Sequence, residues 1–106
     1  MKKQTAKALW QSIEHWHANW ADPRNADIYS ESCPLCHRFY NDGECVADSG
    51  EKCPVFSSTG YSDCKFSPWI EVRDAIVGIS LGQYVKKPRL KEAMRREIEF
   101  LVDLVP

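Results

Sequence analysis

Five cysteines are the residues of this chain with the clearest chemical potential, and all of them fall between Cys33 and Cys64. Cys33 and Cys36 form a C-x-x-C pair, a spacing that lets a tight turn direct two thiolates at one cation. Cys45, Cys53 and Cys64 follow, each near a glycine or proline. Grouped thiolates of this kind are typical of zinc sites, so the segment predicts a bound zinc ion.

Tetrahedral zinc takes four ligands, so the segment holds more candidate side chains than one ion can use. The predicted ligands are Cys33, Cys36, Cys53 and Cys64. Cys53-Pro54 and the nearby Gly60 favour this set because they give a rigid backbone of turns. Cys45 or His37 is the substitute ligand. A shell of four thiolates leaves no open position for water, which indicates a structural metal.

Three other uses of the cysteines remain open at this stage. An iron–sulfur cluster also takes four thiolates, and a Cys-Pro step occurs in ferredoxin ligand runs. Cys33-x-x-Cys36-His37 matches the haem attachment signature, but haem would leave three further cysteines unexplained. A cluster of reduced thiols, or a thiol–disulfide switch, needs no metal at all.

The overall composition predicts one folded domain. A chain of 106 residues is near the size at which a single apolar core is marginal and a metal adds useful stability. Hydrophobic residues make up 43% of it, which argues against a disordered chain. The net charge of -1 gives no overall attraction to nucleic acid or membrane. We therefore expect a single domain over residues 1–106.

The first residues do not have the pattern of a signal peptide. Lys2 and Lys3 are basic, but Glu14 and His15 interrupt the apolar run that would have to follow. No run of about 18 apolar residues is present, so we expect neither a transmembrane helix nor a membrane partner. The expected location is the cytoplasm, where a reducing environment disfavours disulfides and favours metal binding by clustered cysteines.

Apolar residues at helical spacing predict a mainly α fold with about three helices. The first covers residues 3–20, and its stripe of indoles and aliphatic side chains is expected to pack mainly in the core. Ser67-Pro68 begins a second helix over residues 68–81, because Ser is a good N-cap and Pro fits the first helical position. Pro88 begins a third helix over residues 88–104. The Cys-rich segment between the first two shows no sustained period, so we expect an irregular, metal-stapled insert.

No catalytic arrangement is found in the sequence. Gly78-Ile79-Ser80-Leu81-Gly82 fits a nucleophile pattern, but it lacks the preceding strand and the downstream base that the chemistry needs. His15 and His17 are two residues apart, so on a helix they diverge and do not share a metal. We therefore expect no enzymatic activity and no small-molecule substrate.

The C-terminal helix carries a basic face that we assign to partner binding. Its cations are Lys86, Lys87, Arg89, Lys91 and Arg95. Trp16 and Trp20 of the first helix are the aromatic candidates for the same surface, since large aromatic side chains are common interface anchors. The alternative is a solvated helix face on which these cations pair with glutamates. Those glutamates are Glu92, Glu97 and Glu99.

The Cys-rich segment has the opposite charge, because acidic residues outnumber basic ones between Asp22 and Asp63. Two faces of opposite sign fit oriented docking on a protein better than reading of a nucleic-acid sequence. The expected function is a non-enzymatic, zinc-stabilised module that binds a protein. Nucleic-acid binding by the basic helix is one alternative, and an iron–sulfur redox or sensor protein is the other.

The order of the central motifs resembles small cysteine-rich proteins of tailed phages and bacterial genomes. The residues that carry the resemblance are Cys33, Cys36, Cys53-Pro54-Val55, Thr59-Gly60, Cys64 and Pro68-Trp69. These proteins place a cysteine nearer the Cys-Pro step than Cys45 lies here, so the role of Cys45 stays open. The resemblance implies a phage accessory protein that binds and modulates a host protein, and it implies no activity.

Overall fold

Helices dominate the described part of the chain. The computed structural model describes residues 1–28, 33–41, 44–45, 47–48, 51–60, 67–82 and 87–106, and for residues 36–38, 40–41, 44–45, 47–48, 51–52, 80 and 87 it describes the backbone alone. The helices are α1 (Lys3–Ala21), α2 (Pro34–Phe39), α3 (Pro54–Thr59), α4 (Trp69–Ser80) and α5 (Lys87–Asp103), and a 3-10 helix covers Pro23–Asn25. The prediction of a mainly α fold is confirmed.

Helix α1 forms because its apolar side chains recur every three or four residues on one face. Leu9, Ile13 and Trp16 are all buried at this spacing. The helix ends at Ala21, where Pro23 disfavours helical backbone for the residue before it. The predicted start and end of this helix therefore agree with the structure to within a residue.

Helices α1, α4 and α5 build the core together, and α1 packs most extensively against α5. The buried apolar side chains of α4 and α5 include Val72, Ala75, Leu90, Met94, Ile98 and Leu101. Trp20 near the end of α1 lies beside Lys91 near the start of α5, so these two helices run antiparallel. Burial of this surface is the main stabilising term, at roughly 1.5–3 kcal/mol for each large side chain.

The segment between α1 and α4 is more regular than its sequence pattern predicts. Helices α2 and α3 each begin with a proline that directly follows a cysteine, and proline suits the first helical position. Leu35 and Phe39 of α2 are buried, and α2 packs on α1. Gly60 ends α3 with a φ of 78°, a left-handed conformation that glycine adopts without strain.

Two antiparallel hairpins of two-residue strands lie between α2 and α3. Strand β1 (Tyr40–Asn41) pairs with β2 (Glu44–Cys45), and Tyr40 lies opposite Cys45. Strand β3 (Ala47–Asp48) pairs with β4 (Glu51–Lys52), and Ala47 lies opposite Lys52. These short ladders place Cys45 on a strand and Cys53 directly after one.

The chain after α1 is fixed to the helices by a set of hydrogen bonds around Asp27. The Asn19 amide donates to the Asp27 carbonyl at 3.0 Å and accepts from the Asp27 N–H at 3.1 Å. The same carbonyl lies 2.6 Å from Nε2 of His15. The Trp69 indole donates to the carbonyl of Ile28 at 2.8 Å, so the backbone here is tied to both α1 and α4.

None of the helices in the described ranges is long and apolar enough to span a membrane.

Candidate functional site

The structure describes the side chains of two of the six predicted metal-ligand candidates. Cys33 is half-buried directly before α2, and Cys53 is buried, 1% exposed, directly before α3. Both pack against the apolar core. Cys36 follows in the first turn of α2 and Cys45 lies on β2, each described by its backbone alone. The His37 side chain and all of Cys64 lie outside the described part.

A buried hydroxyl on α1 lies against Cys33. Oγ of Ser12 is 3.8 Å from Sγ of Cys33, and it accepts a hydrogen bond of 3.3 Å from the Leu35 N–H. Ser12 has no exposed surface. A hydroxyl oxygen can accept two hydrogen bonds and its O–H can donate one, so either Ser12 or Cys33 can be the donor in this contact. When the hydroxyl donates, the hydrogen bond favours the thiolate form of the cysteine.

Glu97 of α5 is a charged residue type in a buried position. It is 3% exposed, and its carboxyl accepts hydrogen bonds from the Ser67 hydroxyl and the Trp69 N–H at the start of α4. Burial raises the pKa of Glu97 to about 8, and the nearby Cys33 thiol adds to the rise, while the two hydrogen bonds act in the opposite direction. Within the described residues, Oε2 of Glu97 has no hydrogen-bond partner.

These groups form one polar cluster inside an otherwise apolar core. We name it the Cys33–Glu97 cluster, and its members are Ser12, Cys33, Ser67 and Glu97. They come from α1, from the residue before α2, from the residues before α4, and from α5. The cluster therefore joins the start of the Cys-rich segment to three long helices.

The position of Glu97 corrects its assignment to a solvated glutamate face. Glu97 does not lie with Glu92 and Glu99, which are exposed enough to pair with Arg95. It lies inside the repeat formed by Met94 and Leu101, which are three residues before it and four after it and both buried. This spacing was the sequence signal for a buried position, and it was missed because glutamate is a polar residue type.

Among the side chains that are described, no three His, Cys, Asp or Glu groups come together as a metal site. Four of the six candidate ligands have no described side chain, so this search covers only Cys33 and Cys53 of the predicted set. The zinc set and its iron–sulfur alternative both stay predictions.

The predicted partner-binding residues separate into buried and exposed groups. Trp16 is 4% exposed, so its assignment to a partner surface is corrected to a place in the core. Trp20 is 39% exposed, and Nζ of Lys91 lies 3.8 Å from the centroid of its ring. Arg89 is exposed at the start of α5. Arg95 forms ion pairs along α5, which lower the net positive charge of this face.

The side chains of two predicted partner-binding lysines, Lys86 and Lys87, are not described. Lys87 is the first residue of α5 and is described by its backbone alone, and Lys86 lies outside the described residues. Among the described residues, five further large apolar side chains are well exposed, although the sequence did not single them out as partner contacts. They are Met1 at 53%, Trp10 at 49%, Val77 at 45%, Leu81 at 73% and Val102 at 42%.

No protein-family model matches the chain, and neither a curated protein nor a solved structure matches it significantly.

Proposed function

We propose that this chain is a non-enzymatic interaction module whose Cys-rich segment is stabilised by one zinc ion. The observation that carries the proposal is the place of Cys33, which starts the C-x-x-C pair and whose sulfur lies 3.8 Å from the buried Ser12 hydroxyl of α1. A metal held at this position would fix the start of the Cys-rich segment to the helical core. Zinc would then act on folding and not on a substrate.

The backbone of α2 supports the proposal that the C-x-x-C pair binds a metal. Cys33 precedes the first helical residue and Cys36 is the third, so the two are three residues apart across one helical turn. Residues at this spacing are neighbours on a helix, which lets two thiolates share one cation. The proposed ligands are Cys33, Cys36, Cys53 and Cys64, with Cys45 or His37 as the substitute.

The exposed indoles support the proposal that the chain binds a protein partner. Trp10 and Trp20 both lie on α1 and both present a large apolar ring to solvent. Tryptophan is enriched among residues that dominate binding energy, and a lysine over its ring adds a polar contact. The resemblance to phage proteins favours a bacterial host protein as the partner. Arg95 is engaged by glutamates, so nucleic-acid binding is the less favoured alternative.

Elemental analysis and an absorbance spectrum of freshly purified protein test whether the bound metal is zinc. We expect one zinc per chain and no visible colour. Iron with sulfide and a brown solution would replace this proposal by the iron–sulfur alternative. Protein that contains neither metal, and takes up no zinc after reduction, would contradict the proposal altogether.

Affinity capture from a bacterial lysate tests whether the chain binds a bacterial protein. The zinc-loaded chain is compared with Trp20→Ala and Trp10→Ala, both of which remove an exposed ring without opening the core. We expect at least one captured protein whose recovery falls strongly with one of these variants. Recovery that is equal for all three proteins would show that neither indole takes part.

A further inference from the structure

We propose that the exposed face of α1 around Trp10 binds a second copy of this chain, with the two α1 helices packed antiparallel about a two-fold axis near Trp10. The inference goes beyond the proposed function, because the occupant of this face is another copy of the chain and not a host protein. It does not depend on the zinc site.

Four residues of α1 at helical spacing form one exposed face, which we name the Trp10 face. They follow each other at intervals of three, four and three residues, so they are neighbours on the helix surface. They are Lys7, Trp10, Glu14 and His17. The opposite side of α1 holds the buried Ser12 and Asn19. The Trp10 face therefore points away from the core, and its central indole is 49% exposed.

Val102 of α5 extends the apolar part of the Trp10 face. Trp20 contacts Lys91 and the two helices run antiparallel, so a step back along α1 corresponds to a step forward along α5. Trp10 lies about 15 Å before Trp20, and Val102 lies about 16.5 Å after Lys91, at 1.5 Å per residue. Eleven residues make about three turns, so Val102 lies on the same side of α5 as Lys91. Val102 is 42% exposed, so two exposed apolar side chains lie at one level of neighbouring helices.

Trp10 suits the centre of a contact between identical copies. In a two-fold dimer the residues nearest the axis meet their own counterparts. An indole packs well against a second indole, whereas a charged side chain at this place would meet its own charge. Tryptophan is also enriched among the residues that contribute most to binding energy. A two-fold axis near Trp10 therefore covers apolar surface that is now exposed to solvent.

The charges on either side of Trp10 select the antiparallel orientation. Lys7 lies three residues before Trp10 and Glu14 lies four residues after it. Antiparallel packing about Trp10 brings Lys7 of each copy close to Glu14 of the other, which gives two ion pairs by symmetry. Parallel packing would instead place like charges opposite each other. Within the described part of the chain, neither Lys7 nor Glu14 forms an ion pair, so both charges are available.

The same balance of charge favours a second copy over nucleic acid. Lys7 and Glu14 cancel, so together they give no net positive charge to attract a phosphate backbone. Their positions make the Trp10 face complementary to itself once one copy is reversed. A second copy therefore supplies the opposite charges that this face needs.

Sedimentation velocity of the purified full chain at increasing concentrations tests the dimer. A reductant is present, so that a disulfide between copies cannot supply the contact. We expect the average mass to rise from that of one chain toward that of two. Trp10→Ala should abolish this rise, whereas Trp20→Ala, the same change about 15 Å further along α1, should keep it.

Reversal of the two charges tests the antiparallel orientation. Each single variant, Lys7→Glu or Glu14→Lys, turns two ion pairs into two like-charge contacts. We expect the dissociation constant of the dimer to rise by about tenfold in each. The double variant restores both pairs and has the net charge of the parent, so it should dimerise like the parent. All of these positions are exposed, and circular dichroism checks that each variant keeps its helices.

Three results would overturn the inference. One is a parent chain that keeps the mass of a single copy at every concentration, which leaves the zinc and host-partner proposals in place. Another is a dimer that Trp10→Ala does not weaken, or that Trp20→Ala weakens equally, because its contact then lies elsewhere. The last is a double charge variant that dimerises no better than the single variants, because the two charges then do not face each other.

Discussion

Ser12 shows how one buried hydroxyl can connect two elements. It accepts from the Leu35 N–H in the first turn of α2, and it lies against the Cys33 sulfur. These contacts satisfy a backbone donor that would otherwise be buried without a partner. Ser12 therefore couples the position of the C-x-x-C pair to the face of α1.

The Ser12→Ala variant should be destabilised by about 1–3 kcal/mol, because it leaves the Leu35 N–H without its acceptor. Urea unfolding followed by circular dichroism measures the change. Ser57→Ala is the control, since Ser57 is exposed on α3 and its removal should cost less than about 0.5 kcal/mol. Equal stabilities of the two variants would mean that the Ser12 contacts contribute nothing net.

Glu97 should make the stability of the metal-free protein depend on pH. Its pKa is about 8 in the folded chain, against an ordinary value of 4.5. Between these values the folded state binds more protons than the unfolded state, so the free energy of unfolding falls as pH rises from about 4.5 to about 8. The loss should amount to a few kcal/mol.

Urea unfolding of reduced, chelator-treated protein at several pH values measures this slope. Glu97→Gln should flatten it, because the amide does not titrate, whereas Glu99→Gln should keep it. A parent protein whose stability is constant or rises over this range would contradict the raised pKa.

At the scale of elements, the long helices could be predicted from the sequence and the short ones could not. α1, α4 and α5 each repeat their apolar residues over several turns, and Pro88 and Ser67-Pro68 mark starts within a residue or two. α2 and α3 have six residues each, too few for a period to be visible. Helices this short depend on packing against neighbours, and the sequence alone does not reveal that packing.

The same limit explains how much of the candidate site could be predicted. The C-x-x-C pair that includes Cys33 is a local motif, so spacing alone was enough to single it out. The contact of Cys33 with Ser12 and its electrostatic effect on Glu97 join residues that are distant along the chain, and no local pattern encodes them. Trp16 and Trp20 shared one predicted stripe, yet the neighbouring helices cover only the first.

The hydrogen bonds between Asn19 and Asp27 should fix the exit of the chain from α1. Asn19→Ala removes both of them, and we expect a loss of about 1–2 kcal/mol with faster amide hydrogen exchange at Asp27. Asn25→Ala removes only an exposed bond to Asp22 and should have little effect. The expectation fails if the two variants have the same stability and the same exchange rate at Asp27.

At the scale of the whole molecule, the helical core and the proposed metal centre support different parts of the fold. The core of α1, α4 and α5 buries its own apolar residues, while α2 and α3 are short and each follows a cysteine. Loss of zinc should therefore loosen the Cys-rich segment before it unfolds the three long helices.

A chelator should lower the melting temperature of the zinc-loaded protein by several degrees or more, because the free energy of metal binding is part of the free energy of folding. Cys36→Ser should melt at the lower temperature with or without the chelator. Differential scanning calorimetry checks both statements. A Cys36→Ser variant that melts like the zinc-loaded parent would contradict a structural metal.

The antiparallel packing of α1 against α5 has a consequence for the order of events during synthesis. Helix α1 ends at Ala21 and α5 begins at Lys87, so more than half of the chain lies between them. The apolar face of α1 therefore has its main partner only after α5 has left the ribosome. Until then α1 has α2 to pack against but lacks α5, so part of its apolar face stays uncovered and the nascent chain should be a substrate for chaperones that hold exposed apolar segments.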